Sequence, residues 1–393
     1  MKSFLFVLSI LSMIVSNFGN FLLEYEWKYI DYVWNDPQHK QQAINSGEYN
    51  PNAVYLFDVD YADDGRLFVT AIRNKSVPAS LMTISDQVGE GGALLKPYPD
   101  WSWFEDDCKG ITGAIYQTQI VCNHLFVVDG GKIDEDPICP PQLLIFDLSN
   151  DKLVKRVIIP DNIAQNKNGI GLMSSVAVIA PNCSNIKDNA RVLIGDTDGF
   201  GLVIYDAPTS NICRIESEYM NPIETSFNLD NGTSLDFSLD GLFGMTFIGK
   251  DLFYATFGGS RMYKLETSKI KCSLSYDETN KLIQLAGMLS GQTAAITSER
   301  CAIFFSNIEK TSIMCADATK EINAKNMDVV LHDPKMVQFA SGMKNRDDEL
   351  VILTNKYYAF NGSLNLQEVN FRILSKKFQE IQKTNPMCFA SCK

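Results

Sequence analysis

The chain has 393 residues, with 35 Lys+Arg against 47 Asp+Glu and a formal net charge of −12. Its 45% hydrophobic and 11% aromatic content is that of a folded chain and excludes disorder as the main description. The acidity, with no run of basic residues, excludes nucleic acid as a partner. The three histidines, His39, His124 and His332, stand far apart and leave little material for a zinc site or a Ser-His-Asp triad.

The N-terminus opens on Met1-Lys2 and an apolar run, Ser3–Val15, too short to span a bilayer. Residues 1–19 are therefore expected to be a signal peptide and 20–393 a single secreted domain. No later segment is long and apolar enough to predict a membrane partner. Secretion makes the 10 cysteines read as disulfides, with connectivity left open by spacing. Four N-x-[ST] sequons fit export as well: Asn74, Asn182, Asn231 and Asn361.

Asp36-Pro37 followed by Gln38–Ser46 and Gly47 predicts a capped helix. After it an apolar strand, a turn and a second strand recur six times. The stronger strands begin at Arg66, His124, Arg191, Asp251, Cys301 and Glu349. Each is preceded by another strand-like run: 55–60, 110–117, 174–180, 242–248, 292–297 and 336–341. A four-stranded sheet cannot bury both faces alone, whereas six of them packed around an axis can. The fold class is therefore all-β, a six-bladed β-propeller with short N- and C-terminal extensions. A second helix is expected near 375–383.

Chemistry-bearing motifs are sparse. Asp58-Val-Asp-Tyr-Ala-Asp-Asp-Gly65 fails the calcium-loop pattern because Ala62 takes a required oxygen position, and Gly195-Asp-Thr-Asp-Gly199 is too short for one; both read as turns. No metal site, cofactor motif or catalytic residue is assigned. The aromatic stretch Pro97–Trp103 is expected to pack on Trp27 and Trp34.

Several segments resemble the major royal jelly protein/yellow family of insects. They are Glu26-Trp-Lys-Tyr-Ile-Asp-Tyr32, Ala43-Ile-Asn-Ser-Gly-Glu-Tyr49, Pro97-Tyr-Pro-Asp-Trp-Ser102, Leu125-Phe-Val-Val-Asp-Gly130 and Val369-Asn-Phe-Arg-Ile-Leu374. The resemblance, closer to the royal-jelly-like branch, implies a six-bladed propeller, secretion and N-glycosylation. It implies disulfides Cys108–Cys122, Cys139–Cys183 and Cys315 with Cys388 or Cys392, and Cys213–Cys272 is expected as one more. Relatives from the salivary branch bind biogenic amines at one mouth of the channel. Asn355 falls on the family's amine-contacting Asn, Tyr357 where an aromatic residue presents its carbonyl, and Ser341 beside Ala340, where the family has Thr.

The resulting expectation is a non-enzymatic, glycosylated storage or nutritional protein. A small-ligand-binding role, with a biogenic amine or a sterol-like compound in the central channel, stands beside storage as an option, and self-association is open to it. The alternatives are an enzyme acting on catechol-derived substrates in melanin formation and a cuticle-interaction protein.

Overall fold

A computed structural model describes residues 21–105, 107–224, 226–228, 234–236, 240–356 and 364–392. The predicted signal segment, Asn231, Asn361 and Tyr357 lie outside these residues. Six four-stranded antiparallel sheets follow one another. The inner strands are Leu56–Tyr61, Thr118–Val121, Met173–Ile179, Leu242–Ile248, Ile296–Glu299 and Phe339–Arg346, in blades 1 to 6. Each packs against the next, and the sixth packs against the first, so the ring is closed.

The alternation of each second strand serves two interfaces at once. In Arg191–Asp196, Val192 and Ile194 join Phe126, Leu143 and Ile145 of blade 2. Leu193 between them joins Leu252 and Tyr254 of blade 4. A period of two with apolar residues at every position is what a sheet buried on both faces requires.

Blade 6 is completed from the far end of the chain. Leu22–Trp27 pairs antiparallel with Phe371–Lys377, which pairs with Glu349–Asn355. Phe21 enters the core between blades 5 and 6, while Trp27 enters that between blades 6 and 1. Arg346 reinforces the joint by an ion pair to Glu24 at 2.8 Å and by lying over the Tyr61 ring of blade 1 at 4.5 Å.

The C-terminal segment is a strap over the neighbouring seam. Helix Phe378–Thr384 and the turn Pro386–Phe389 bury Phe378, Ile381 and Phe389 against Phe304 and Ala302. Two disulfides, Cys315–Cys388 and Cys301–Cys392, tie the strap to blade 5. Cys213–Cys272 is present too. The remaining expected pairs exchange partners: the structure joins Cys108 to Cys139 and Cys122 to Cys183. Cys122 turns at the foot of blade 2 beside blade 3, where Cys183 sits, whereas Cys108 and Cys139 meet at its upper loops.

Helix Pro37–Ser46 carries the expected cap: Asp36 accepts from the His39 amide at 2.8 Å, and Gly47 ends the helix in the left-handed region, φ 81°. Three strand boundaries differ from expectation. Residues 110–117 are irregular, because the Asp129 carboxylate accepts the Thr112 and Gly113 amides that a strand would have paired. Gln292 and Thr293 end the outer strand of blade 4 rather than open blade 5. In blade 6 the inner strand is displaced from 336–341 to Phe339–Arg346.

Replacing Cys315 and Cys388 together by Ser should lower the unfolding free energy by about 2–5 kcal/mol, as for a native disulfide of a secreted domain. Urea denaturation of the pair variant beside the parent protein measures it; an unchanged midpoint would mean the strap is dispensable.

Candidate functional site

All six inner strands run the same way, so the ring has an upper face where they begin and a lower one where they end. Four of them carry a register shift close to the upper end: between Leu56 and Val59, Met173 and Ser175, Leu242 and Gly244, and Ala340 and Gly342. A bulge inserts an extra residue and re-aims its side chain. The residues so inserted include Phe57, Ser174, Phe243 and Ser341.

Phe57 and Phe243 belong to opposite blades, yet their rings meet edge to face at 5.7 Å. Phe257 lies 5.1 Å from Phe243, Tyr116 lies 5.3 Å from Phe57, and Phe339 of blade 6 completes the layer. The four phenylalanines are buried and Tyr116 is half-buried, and together these rings cross the axis and plug the channel with apolar surface.

Asn355 ends the second strand of blade 6 beside this plug and is buried. Its Nδ2 donates to the Leu56 carbonyl at 2.9 Å and to Ser341 Oγ at 2.9 Å. Thr197 does the same between blades 3 and 4, donating to the Leu242 carbonyl and sharing a short hydroxyl contact with Ser174. The amide of Asn355 is thus a latch from one blade to the first residue of the next. Its Oδ1 is buried without a hydrogen-bond partner.

Above the plug the mouth is acidic. Burial, reinforced by the charge of Asp240, pushes the Asp198 carboxyl up to about 6. Burial alone raises Asp240 to about 6. Beside them Ile72, Tyr116, Lys132, Glu135 and Leu172 line a cavity of about 360 Å³.

Beneath the plug is an ionic cluster that sequence reasoning placed in a turn. Asp58 and Asp60 lie in the inner strand of blade 1, not in a loop, and the turn falls at 62–65. Asp58 Oδ2 accepts the Thr118 amide of blade 2 at 3.0 Å and faces Lys344 Nζ of blade 6 at 2.8 Å. Lys344 also donates to the Thr118 carbonyl at 2.7 Å. Asp60 accepts the amide of Ile120 at 2.8 Å. Gly342 is required here, because a Cβ would lie 2.7 Å from Asp58 Oδ1. The two carboxylates hold the Lys344 ammonium above the ordinary lysine value despite its burial. Burial is the main force on Asp60, with Asp58 pushing further and Lys344 opposing, and it brings the carboxyl up to about 7.

The histidines are dispersed as expected: His124 Nδ1 and His332 Nδ1 contact the carbonyls of Cys122 and Lys310, each at 2.8 Å. Asp196, in the other acidic motif, is buried and paired with Arg214 at 2.6 Å. Among the described residues no group of three or more His, Cys, Asp and Glu is arranged to hold a metal ion. Trp101 stacks on Trp34 at 4.9 Å as expected, but Trp103 packs on Phe146 and Trp27 stacks on Tyr25.

This arrangement has relatives. The family model for the major royal jelly proteins matches residues 114–387. The chain belongs to the major royal jelly protein family. Major royal jelly protein 9 of Apis mellifera is 33% identical over 382 residues, covering 92% of this chain and 88% of that protein. Major royal jelly protein 8 of the same bee is 32% identical over 390 residues, covering 93% and 92%. Among solved structures, a PQQ-bound aldose sugar dehydrogenase from Streptomyces coelicolor aligns over 84% of this chain and 96% of its own, at 11% identity and TM-score 0.47. That likeness is too distant to carry any chemistry.

Lys344→Met should destabilise the protein by about 3–5 kcal/mol, since it leaves Asp58 buried and uncompensated. Adding Asp58→Asn should recover part of that loss in chemical denaturation. A second expectation concerns pH. A carboxyl raised in the folded state contributes stability that is fully present below its unfolded value, near 4, and is lost as pH rises through about 7. The melting temperature of the parent minus that of Asp60→Asn should therefore be largest at pH 4 and shrink toward pH 8. A difference flat across that range would place the titration elsewhere.

Proposed function

We propose that this royal-jelly-family protein is a secreted, non-enzymatic storage or nutritional protein. The observation that carries the reading is the contact of Phe57 with Phe243 across the axis, which closes the channel at that layer among the described residues. The polar groups nearest the axis fit the same reading: Asn355, Asp58 and Lys344 are spent on the joints between blades. Five disulfides suit an oxidising compartment. The names of the bee relatives, proteins of royal jelly, support a bulk extracellular role. Self-association is part of this reading, and sedimentation of the purified protein tests it.

A small-ligand role is the second reading, and two observations favour it. Asn355 Oδ1 is buried without a partner, and Asp198 with Asp240 makes the mouth above it attractive to an ammonium group. Calorimetric titration with serotonin, dopamine and a sterol separates the two. The storage reading expects no saturable heat from any of them. Saturable amine binding that disappears in Asp198→Asn/Asp240→Asn would transfer the assignment to ligand binding. For the enzyme alternative, a dopachrome solution should lose its colour no faster with the protein than in buffer.

A further inference from the structure

A cleft of about 650 Å³ lies over blade 1, away from the channel axis. One wall comes from the N-terminal segment, with Trp34, His39 and Glu48. The other comes from the loops of blade 1, with Asn74, Trp101 and Glu105. Its size falls in the range of small-molecule sites.

The chemistry of the walls selects a ligand class. Trp34 and Trp101 are stacked, 19° from parallel, and His39 meets both edge-on at 5.1 and 4.8 Å. Both indole N–H groups are already donated, to Asp31 Oδ1 and to the Val33 carbonyl. What the pair offers is therefore a flat apolar surface rather than a hydrogen bond. The nearby Arg73 guanidinium is consumed by the carbonyls of Phe104, Ile111 and Thr112. The carboxylates of Glu48 and Glu105 form no hydrogen bond or ion pair among the described residues, and His39 Nδ1 is buried without a partner. A flat apolar platform beside free carboxylate acceptors is the complement of a pyranose, which has a C–H face and a rim of hydroxyl donors.

The occupant is suggested by the wall itself. Asn74 opens the sequon Asn74-Lys75-Ser76. Its Oδ1 accepts the Ser76 amide at 2.8 Å, and its Nδ2 donates to the Ala53 carbonyl at 3.3 Å. An amide nitrogen has two hydrogens, and a glycosylated one keeps one, so that contact to Ala53 survives modification. Asn182, by contrast, is exposed.

We propose that this cleft is a saccharide seat occupied by the protein's own N-linked sugar on Asn74. The sugar is added during export from an oligosaccharyl diphosphate lipid. The bond from the anomeric carbon to the diphosphate oxygen breaks and one to Nδ2 forms. The diphosphate lipid leaves, and one amide proton passes to the transferase base. On folding, the first N-acetylglucosamine lies on the Trp34–Trp101 platform with its hydroxyls toward Glu48 and Glu105.

The test uses protein secreted from insect cells, with glycopeptide mass spectrometry and timed digestion by a peptide-N-glycosidase. Asn74 should be found modified, and its sugar should be released at least tenfold more slowly from native than from denatured protein. Trp101→Ala should bring release toward the denatured rate. Because that variant risks the fold, Glu105→Ala, with the parent melting temperature, should do the same in part. In Asn74→Gln the seat is empty, so added chitobiose should shift the tryptophan fluorescence saturably. An unmodified Asn74 overturns the proposal even if free chitobiose binds. So does equal release from native and denatured protein, and so does an Asn74→Gln protein whose fluorescence ignores chitobiose.

Discussion

Each inner strand of a propeller has a strand on one side only. Its other edge faces the axis, and the amides and carbonyls there must find partners or lose several kcal/mol in a dry interior. This chain meets that demand with side chains sent from one inner strand to the next. Asp58 and Asp60 take the amides of Thr118 and Ile120, Lys344 caps the Thr118 carbonyl, and Gln119 Oε1 accepts from the Val178 amide of blade 3. Ser298 reaches the Phe247 carbonyl between blades 4 and 5, and Asn345 reaches that of Ser298. The side chains stand in for the missing strand and hold the six blades in register at the same time.

That constraint shapes what the channel can do. A polar residue near the axis is a ready candidate for binding or catalysis when it is seen in sequence. Here most such residues are committed to backbone groups of the next blade. The comparison of Asn355 with Thr197 makes the point: two residue types at matching positions perform the same inter-blade bond. Among the described residues, groups left with unspent capacity include Asn355 Oδ1 at a strand end and the carboxylates at the upper mouth.

The fold was legible because burial on both faces writes itself into the sequence. Arg191-Val-Leu-Ile-Gly-Asp196 has no polar face, and six such runs at similar spacing leave few architectures open. Phe57 and Phe243 were equally visible, as aromatic residues near the start of two inner runs, but their meeting depends on opposite blades and on bulges that no local pattern announces. The Asp58–Lys344 pair joins residues from the two ends of the chain, so a local reading placed Asp58 in a turn. Of the disulfides expected from the resemblance or as an extra bridge, Cys213–Cys272 and Cys315–Cys388 are present and two exchange partners, because Cys122 and Cys139 flank the same blade but leave it at opposite ends. The helix Tyr276–Leu282 carries a capping box, Ser275 with Glu278, that was readable and was passed over.

The blade that closes the ring also orders events in the life of the chain. Glu24 and Arg346, 322 residues apart, cannot meet until almost all of the polypeptide has been made. Blades 1 to 3 are complete in sequence well before then, and Cys108–Cys139 and Cys122–Cys183 can lock within them. Until blade 6 arrives, the strand Leu22–Trp27 has no strand to pair with, although Trp27 already reaches the Ala93 carbonyl of blade 1, and apolar faces of blades 1 and 5 lack their blade 6 partner. Biosynthesis thus passes through an open crescent with two sticky ends. Its fate depends on whether its own last blade arrives before another crescent does.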